Sequence, residues 1–260
     1  MSLDLRHNIQ RDFSRLSDVY AGLSAARARR EMRELVEWIR PRRDDRVLDA
    51  ACGPGTLVRA LARRVAQAAG VDLCRRMIKA AEKAESHSFT PASVSFVVGN
   101  VECLPFGGGQ FDVVTCSYSF ANFPNPLLVL SEFVRVTRPG GRIAVVDVLA
   151  PEDSARCAVL NRLEALRGHC YTRVLKRSEF VELFRRAGLR LDCWRLKRRQ
   201  RHFHEWLRLS PAGASAKRAR LLRRMLNDSV DGDKAGLHAR RRRGEIVFEY
   251  STGWFLLSRV

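Results

Sequence analysis

The sequence predicts an α/β architecture: a doubly wound, mostly parallel seven-stranded sheet that carries a helical insertion. Three observations lead there. Short apolar runs alternate with runs of helical periodicity from Arg46 to Leu149, which is the rhythm of βαβ units. The first strand and helix are joined by a turn built from small residues, in VLDAACGPGTLVRALARRV over 47–65. With 260 residues and 46% hydrophobic content, the chain is long enough to enclose one large core, so 1–260 reads as a single domain.

Taken in order, Ser24 to Arg40 is amphipathic and closed by Pro41, so residues 1–40 read as an N-terminal helical cap. A core over 41–150 follows. Its pattern gives strand Arg46–Ala50, helix Thr56–Val65, strand Ala68–Val71, helix Arg75–Glu85, and strands Val94–Val98 and Phe111–Ser117. Helix Pro126–Thr137 and strand Arg142–Leu149 complete it. The C-terminal half, 151–260, begins with a helix over Arg177–Ala187, with Ser178 as the expected cap and Gly188 as the stop. Leu189–Arg199 and Phe248–Arg259 read as two last strands. Between them, about 203–230 is helical and breaks the alternation, so it reads as an insertion placed to cover a site.

Composition narrows the function classes. No apolar run reaches the roughly 18 residues of a membrane helix, and MSLDLRHNIQRDFSRL lacks the apolar centre of a signal peptide. A soluble, cytoplasmic protein is expected. Seven cysteines stand singly at 52, 74, 103, 116, 157, 170 and 193. With no CxxC pair and an odd total they suit neither a disulfide framework nor a zinc site, and no metal is expected. The formal charge is +19, with 41 Arg against 6 Lys. Most of the arginines are spread along helical faces, and the denser runs at Arg195–His202 and Arg240–Arg243 lack the interleaved aromatics of a base-stacking surface.

The glycine turn decides the ligand class. It does not end in Gly-Lys-Ser/Thr, and Val58 stands where a dinucleotide fingerprint needs its third glycine. What remains is Asp49, Gly53 and Gly55, then Asp72 at the end of the second strand, placed to accept hydrogen bonds from a ribose diol. The ligand therefore contains a nucleoside without requiring a pyrophosphate.

These residues, with VLDAACGPGTL (47–57), GVDLCRRMIKAA (70–81), VGNVECLPF (98–106), FDVVTCSYSFANFPNP (111–126) and RVTRPGGRI (135–143), resemble the class I S-adenosylmethionine-dependent methyltransferases. Within that class the chain is most similar to the UbiE/YcgJ-like small-molecule group. The resemblance implies a Rossmann-like methyltransferase fold, S-adenosyl-L-methionine as cofactor and S-adenosyl-L-homocysteine as product. It implies that Asp49, Ala51, Gly53 and Gly55 wall the methionine part, where a Cβ on the glycines would collide with the ligand. Asp72 would hold the ribose, with Leu73 and Met77 beside the adenine. Asn100, where the family usually has an acid, and Val101 would meet the adenine edge, and Ser117 would lie near the methyl.

Methyl transfer from a sulfonium needs alignment and exclusion of water, and a base only when the nucleophile arrives protonated. His169, in RGHCYTR, is the candidate base, with Arg173 near it as a substrate contact. Asn122 stands where relatives often carry a His, which suggests positioning of the acceptor by hydrogen bonding. Tyr20 matches an aromatic that in relatives folds over the cofactor. His202, His204 and Trp206 open the insertion and are expected to wall the acceptor pocket. The expected partner is a small or lipid-like acceptor methylated at O, N or C, with no specific nucleic acid; oligomeric state is not legible. Two further readings are an RNA methyltransferase, motivated by the charge, and a non-catalytic cofactor-binding protein. Against the first, TCSYSF lacks the turn that base-modifying relatives use. Against the second stand the intact glycines and Asp72.

Overall fold

The computed structural model describes residues 8, 10–14, 27–86, 92–168, 172–208, 210 and 215–259. Helix α1 (Arg27–Ile39) precedes β1 (Arg46–Ala50), α2 (Thr56–Leu61), β2 (Gln67–Asp72), α3 (Arg75–Glu85) and β3 (Ser93–Val98). Then come β4 (Phe111–Ser117), a 3-10 turn over Phe120–Asn122, α4 (Pro126–Val136), β5 (Thr137–Val148), α5 (Ser154–Arg167) and α6 (Arg177–Arg186). The last third holds β6 (Leu189–His202), α7 (Phe203–Arg208), α8 (Ala216–Asn227), β7 (Arg240–Arg242) and β8 (Glu245–Arg259).

The sheet order is β3-β2-β1-β4-β5-β8-β6, with β7 as a short eighth strand on β8. Strands β1 to β5 pair in parallel, and β8 runs antiparallel to both its neighbours. Winding reverses between β1 and β4, which is where such sheets open a crevice at the carboxyl ends of their strands.

Both faces of the sheet are covered along β1, β4, β5 and β8, so neighbouring residues on one of these strands enter different cores. Val47, Val113, Ala144 and Trp254 pack with α1 and α2 through Leu35, Ile39, Val58 and Leu61. Leu48, Val114, Val145 and Phe255 pack with α4 and α6 through Phe133, Phe180 and Phe184. Each such phenylalanine is worth about 3–5 kcal/mol against Ala. A third cluster joins the insertion to α5 and the start of β8 through Leu160, Leu163, Phe203, Trp206, Leu222, Leu226 and Phe248.

Several boundaries differ from the sequence reading. Helix α2 ends at Leu61, because the chain must turn back in time for Gln67 to pair with Arg46. Strand β5 begins at Thr137, before a register shift at the Gly140–Gly141 pair. A Cβ on Gly141 would meet the Arg138 carbonyl at 2.8 Å, so only glycine fits that irregularity. Ser178 does not cap α6. The Glu179 carboxylate accepts the Lys176 N–H at 2.8 Å, and Glu152 accepts the Ser178 N–H at 3.0 Å. Gly188 closes α6 with φ +70°, as expected.

The run Arg240–Arg243 is a hairpin. Arg242 pairs with Glu245, and both residues between them have positive φ, Arg243 at +49° and Gly244 at +79°, the geometry of a two-residue hairpin turn.

Candidate active site

At the end of β1 the chain turns away in a strained path: Ala51, Gly53 and Gly55 have φ of +57°, +55° and +73°. The Cys52 N–H donates to the Val71 carbonyl at 3.0 Å, fastening the turn to β2. The two glycines answer to different demands. A Cβ on Gly53 would meet nothing within 4 Å, whereas one on Gly55 would strike Phe96 at 2.8 Å and Ala81 at 3.0 Å. Only Gly53 borders open space. Gly55 is small because Phe96 of β3 lies against it, a reason separate from any ligand.

Two carboxyl groups flank this turn. Asp49 is buried and accepts the Thr115 hydroxyl at 2.7 Å. Burial pushes its pKa to about 7, opposed by that hydrogen bond and assisted by the charge of Asp72. Asp72 accepts the Gly53 N–H and the Cys74 N–H, both at 2.8 Å. It therefore links the glycine turn to the start of α3, and burial raises its pKa against those two bonds.

The Leu73 carbonyl accepts the Gln10 side-chain amide at 3.1 Å, and Ser14 lies 3.3 Å from the Cys74 sulfur. Helical residues 10–14 thus dock beside the first turn of α3. Met77 and Val101 are buried. The Asn100 side-chain oxygen accepts the Glu102 N–H at 3.1 Å, which spends one of its two lone pairs locally.

Beyond Ser117 the chain bends again. Tyr118 has φ +57°, and its hydroxyl donates to Glu31 of α1, which Arg199 of β6 holds at 2.9 Å. Phe120 donates its N–H to buried Asp147 at 2.8 Å, and the Val148 N–H reaches the same carboxyl group at 2.7 Å. Burial raises Asp147 to about 7 against those bonds. From the other side, the Thr172 hydroxyl and N–H donate to the Ala121 carbonyl at 2.6 and 3.1 Å. The turn carrying Asn122 is thus pinned at two points. The Asn122 side-chain oxygen is buried without a hydrogen-bond partner among the described residues.

Other residues singled out in the sequence have partners of their own. The Arg173 guanidinium is engaged bidentately by Glu179 at 2.8 and 2.6 Å. Trp206 is buried in the insertion's own core, donating to the Tyr250 hydroxyl at 2.9 Å beneath the Arg167 guanidinium 4.7 Å from its ring. His202 pairs with Glu245 at 2.9 Å, and His204 is exposed. For Trp206 the helical spacing gave a face without saying what the face meets, and what it meets is the cluster of Phe203, Leu222 and Phe248. His169 and Tyr20 lie outside the described residues. Asp147, Tyr118 and Phe96 were not singled out in the sequence; all three act on partners remote along the chain.

Residues 48–145, from β1 to β5, match the methyltransferase domain family model. The chain is 28% identical over 172 residues to the uncharacterized methyltransferase YcgJ of Bacillus subtilis, covering 66% of this chain and 68% of that one. It is 30% identical over 158 residues to a 2-phytyl-1,4-naphtoquinone methyltransferase of Nostoc sp., covering 57% and 68%. The chain belongs to the class I S-adenosylmethionine-dependent methyltransferases. The solved structure of YcgJ superposes on this methyltransferase with a TM-score of 0.78, over 88% of this chain and 98% of that one at 24% identity. In the methyltransferase the two basic runs are in part neutralised from within. Lys197 and Arg199 meet Glu34 and Glu31 of α1, and Arg240 meets Glu249. No helix among the described residues is long and apolar enough to cross a membrane.

Proposed function

We propose that this methyltransferase moves the methyl group of S-adenosylmethionine to a small, lipid-like acceptor and releases S-adenosylhomocysteine. The observation carrying the proposal is the open side of Gly53 between the carboxyl groups of Asp49 and Asp72, at the switch point of the sheet. Asp72 holds the ribose hydroxyls with lone pairs left over by the Gly53 and Cys74 amides. Asp49, Ala51, Gly53 and Gly55 form the wall for the methionine part, Leu73, Met77, Asn100 and Val101 surround the adenine, and Ser117 lies toward the methyl. When bound, the cofactor supplies an electrophilic methyl on a centre that already carries its positive charge and leaving group.

What remains for the protein is to align the nucleophile and keep water out. The unpartnered oxygen of Asn122 offers a hydrogen-bond acceptor to a hydroxyl or amine of the acceptor molecule. An unsatisfied buried oxygen costs about 1–3 kcal/mol, which a bound donor restores. His169 is the proposed base, and Tyr20 and Arg173 the further acceptor contacts; an anionic group reaching Arg173 competes with Glu179. The name of the Nostoc relative supports a lipid-like acceptor.

The test uses cofactor labelled in its methyl group and three separate fractions: prenylated naphthoquinols, a metabolite extract and an RNA pool. Label in the lipid-like fraction supports the proposal, and label confined to RNA overturns it. Calorimetry with Asp72→Ala tests the cofactor site, since each charge-assisted ribose bond is worth roughly 1.5–3 kcal/mol. An unchanged affinity removes Asp72 from it.

A further inference from the structure

Strand β6 is an edge of the sheet, 14 residues long, with its outer side unpaired among the described residues. It carries six cations, Arg190, Arg195, Lys197, Arg198, Arg199 and Arg201, and one carboxylate, Asp192. Residues on one face turn onto α1 and β8: Arg195 lies over the Trp38 ring, Lys197 over the Trp254 ring, and Arg199 meets Glu31. The opposite face differs. Trp194 is 40% exposed and Leu196 47% exposed, the largest exposed apolar pair on consecutive same-face positions among the described residues. Arg198 continues that row, exposed and making no ion pair among the described residues. Arg177 of α6 stands 5.0 Å from the Trp194 ring. The strand's single acid is tied down, with Asp192 held by Arg190 and by the Ser258 hydroxyl.

We infer that the Trp194–Leu196–Arg198 face of β6 docks on the surface of an anionic lipid bilayer. An indole that is half wet, an aliphatic side chain and the Arg198 guanidinium are the chemistry that enters the headgroup layer, with arginine on phosphate and the apolar pair below it. Charge complementarity selects this occupant. A second copy pairing along the same edge would set arginines opposite arginines, which opposes pairing. Single-stranded nucleic acid prefers successive aromatic platforms, and this face has one ring with a cation already on it. The docked strand leads directly into the insertion at Phe203. The lipid-like acceptor of the proposed function would therefore be drawn from the same surface; the docking itself is measurable without turnover.

The experiment is flotation of the purified protein with vesicles of phosphatidylcholine alone or with about one third phosphatidylglycerol. Binding is expected only to the anionic vesicles. Arg198→Glu removes one positive charge and adds one negative, lowering the partition coefficient roughly 30-fold, and Leu196→Ser lowers it at higher salt, where the apolar contribution dominates. Both side chains are exposed, so melting temperature and cofactor affinity stay at wild-type values, and the Leu196 variant keeps the test open should Trp194→Ser disturb the stack on Phe255. Wild-type protein that ignores anionic vesicles overturns the inference. Equal binding by the variants overturns it too. So does an RNA oligonucleotide whose binding falls with the same substitutions, which assigns the face to nucleic acid. Loss of vesicle binding with naphthoquinol methylation in detergent intact supports the docking face separately from the acceptor assignment.

Discussion

Replacing Asp147 by Asn removes a carboxyl group that burial raises from an ordinary 3.8 to about 7. The folded state then binds a proton that the unfolded state releases near pH 4, so folding loses stability as pH rises between those values and nothing further above 7. A shift of about 3 units corresponds to roughly 4 kcal/mol, as an upper order of magnitude. The amide brings a cost of its own. Its oxygen satisfies either the Phe120 or the Val148 N–H, and its NH2 group faces the other, for about 1–3 kcal/mol. Asp147→Asn is therefore expected to melt at or below the wild type at pH 5 and to overtake it by pH 8. At about 2–4 °C per kcal/mol for a chain near this size, the crossover spans several degrees. Thermal unfolding of both proteins at pH 5, 6, 7 and 8 reads the difference directly, with other titrating groups cancelling. Parallel curves would refute the raised protonation of Asp147 and, with it, the account of the turn at Phe120.

Gly55→Ala meets Phe96 at 2.8 Å with φ +73°, and should lower stability by roughly 1–3 kcal/mol, whereas Gly53→Ala, with nothing within 4 Å, costs in stability only the strain of φ +55° and costs more in cofactor affinity; calorimetry beside thermal unfolding separates the two, and equal losses at both positions would contradict the division. Cofactor affinity should rise with pH up to about 7, because a cation beside Asp49 favours its ionised form and so releases a proton below that pH; Asp49→Asn should flatten the profile in calorimetric titrations. Arg243→Gly, relieving φ +49° in the hairpin turn, should stabilise by up to about 1 kcal/mol, seen as a higher denaturant midpoint. Tyr250→Phe strips a hydrogen bond from both buried Glu164 and Trp206, and should destabilise by about 1–3 kcal/mol without changing cofactor affinity.

What could be read in advance followed from how local its cause was. Helix α3 and strand β4 occupy the predicted residues, because their periodicity and their flanking turns lie within a dozen positions. Strand β7 escaped notice: RRR carries no apolar alternation, and its partner, the start of β8, lies across a turn whose residue type, Arg-Gly, is an unusual choice there. The glycines of the first turn were legible as a site, yet the reason for Gly55 resides in Phe96 on another strand. Asp147 and Tyr118 were invisible for the same reason. Their partners, the Phe120 amide, Glu31 and Arg199, come together only when the sheet is assembled. Trp206 had the right amphipathic helix and the wrong neighbour, since a hydrophobic face states that something will cover it and leaves open what.

The position of β8 has a consequence for how the molecule is made. It follows every other strand of this sheet along the chain and stands between β5 and β6, pairing Arg142 with Ser258 on one side and Arg190 with Ser258 on the other. Until residues 245–259 clear the ribosome, β5 has an open edge, β6 has no sheet to join, and Phe180, Phe184 and Trp206 lack the ring partners that β8 provides. The parallel half through β4 and β5 can assemble while the chain is still growing. The other half must wait for residues 245–259, and closing a ladder between strands so far apart in sequence is slow. The nascent protein thus spends its most vulnerable interval holding a long arginine-rich strand in solution, whose mutual repulsion keeps it from pairing with its like before its proper neighbour arrives.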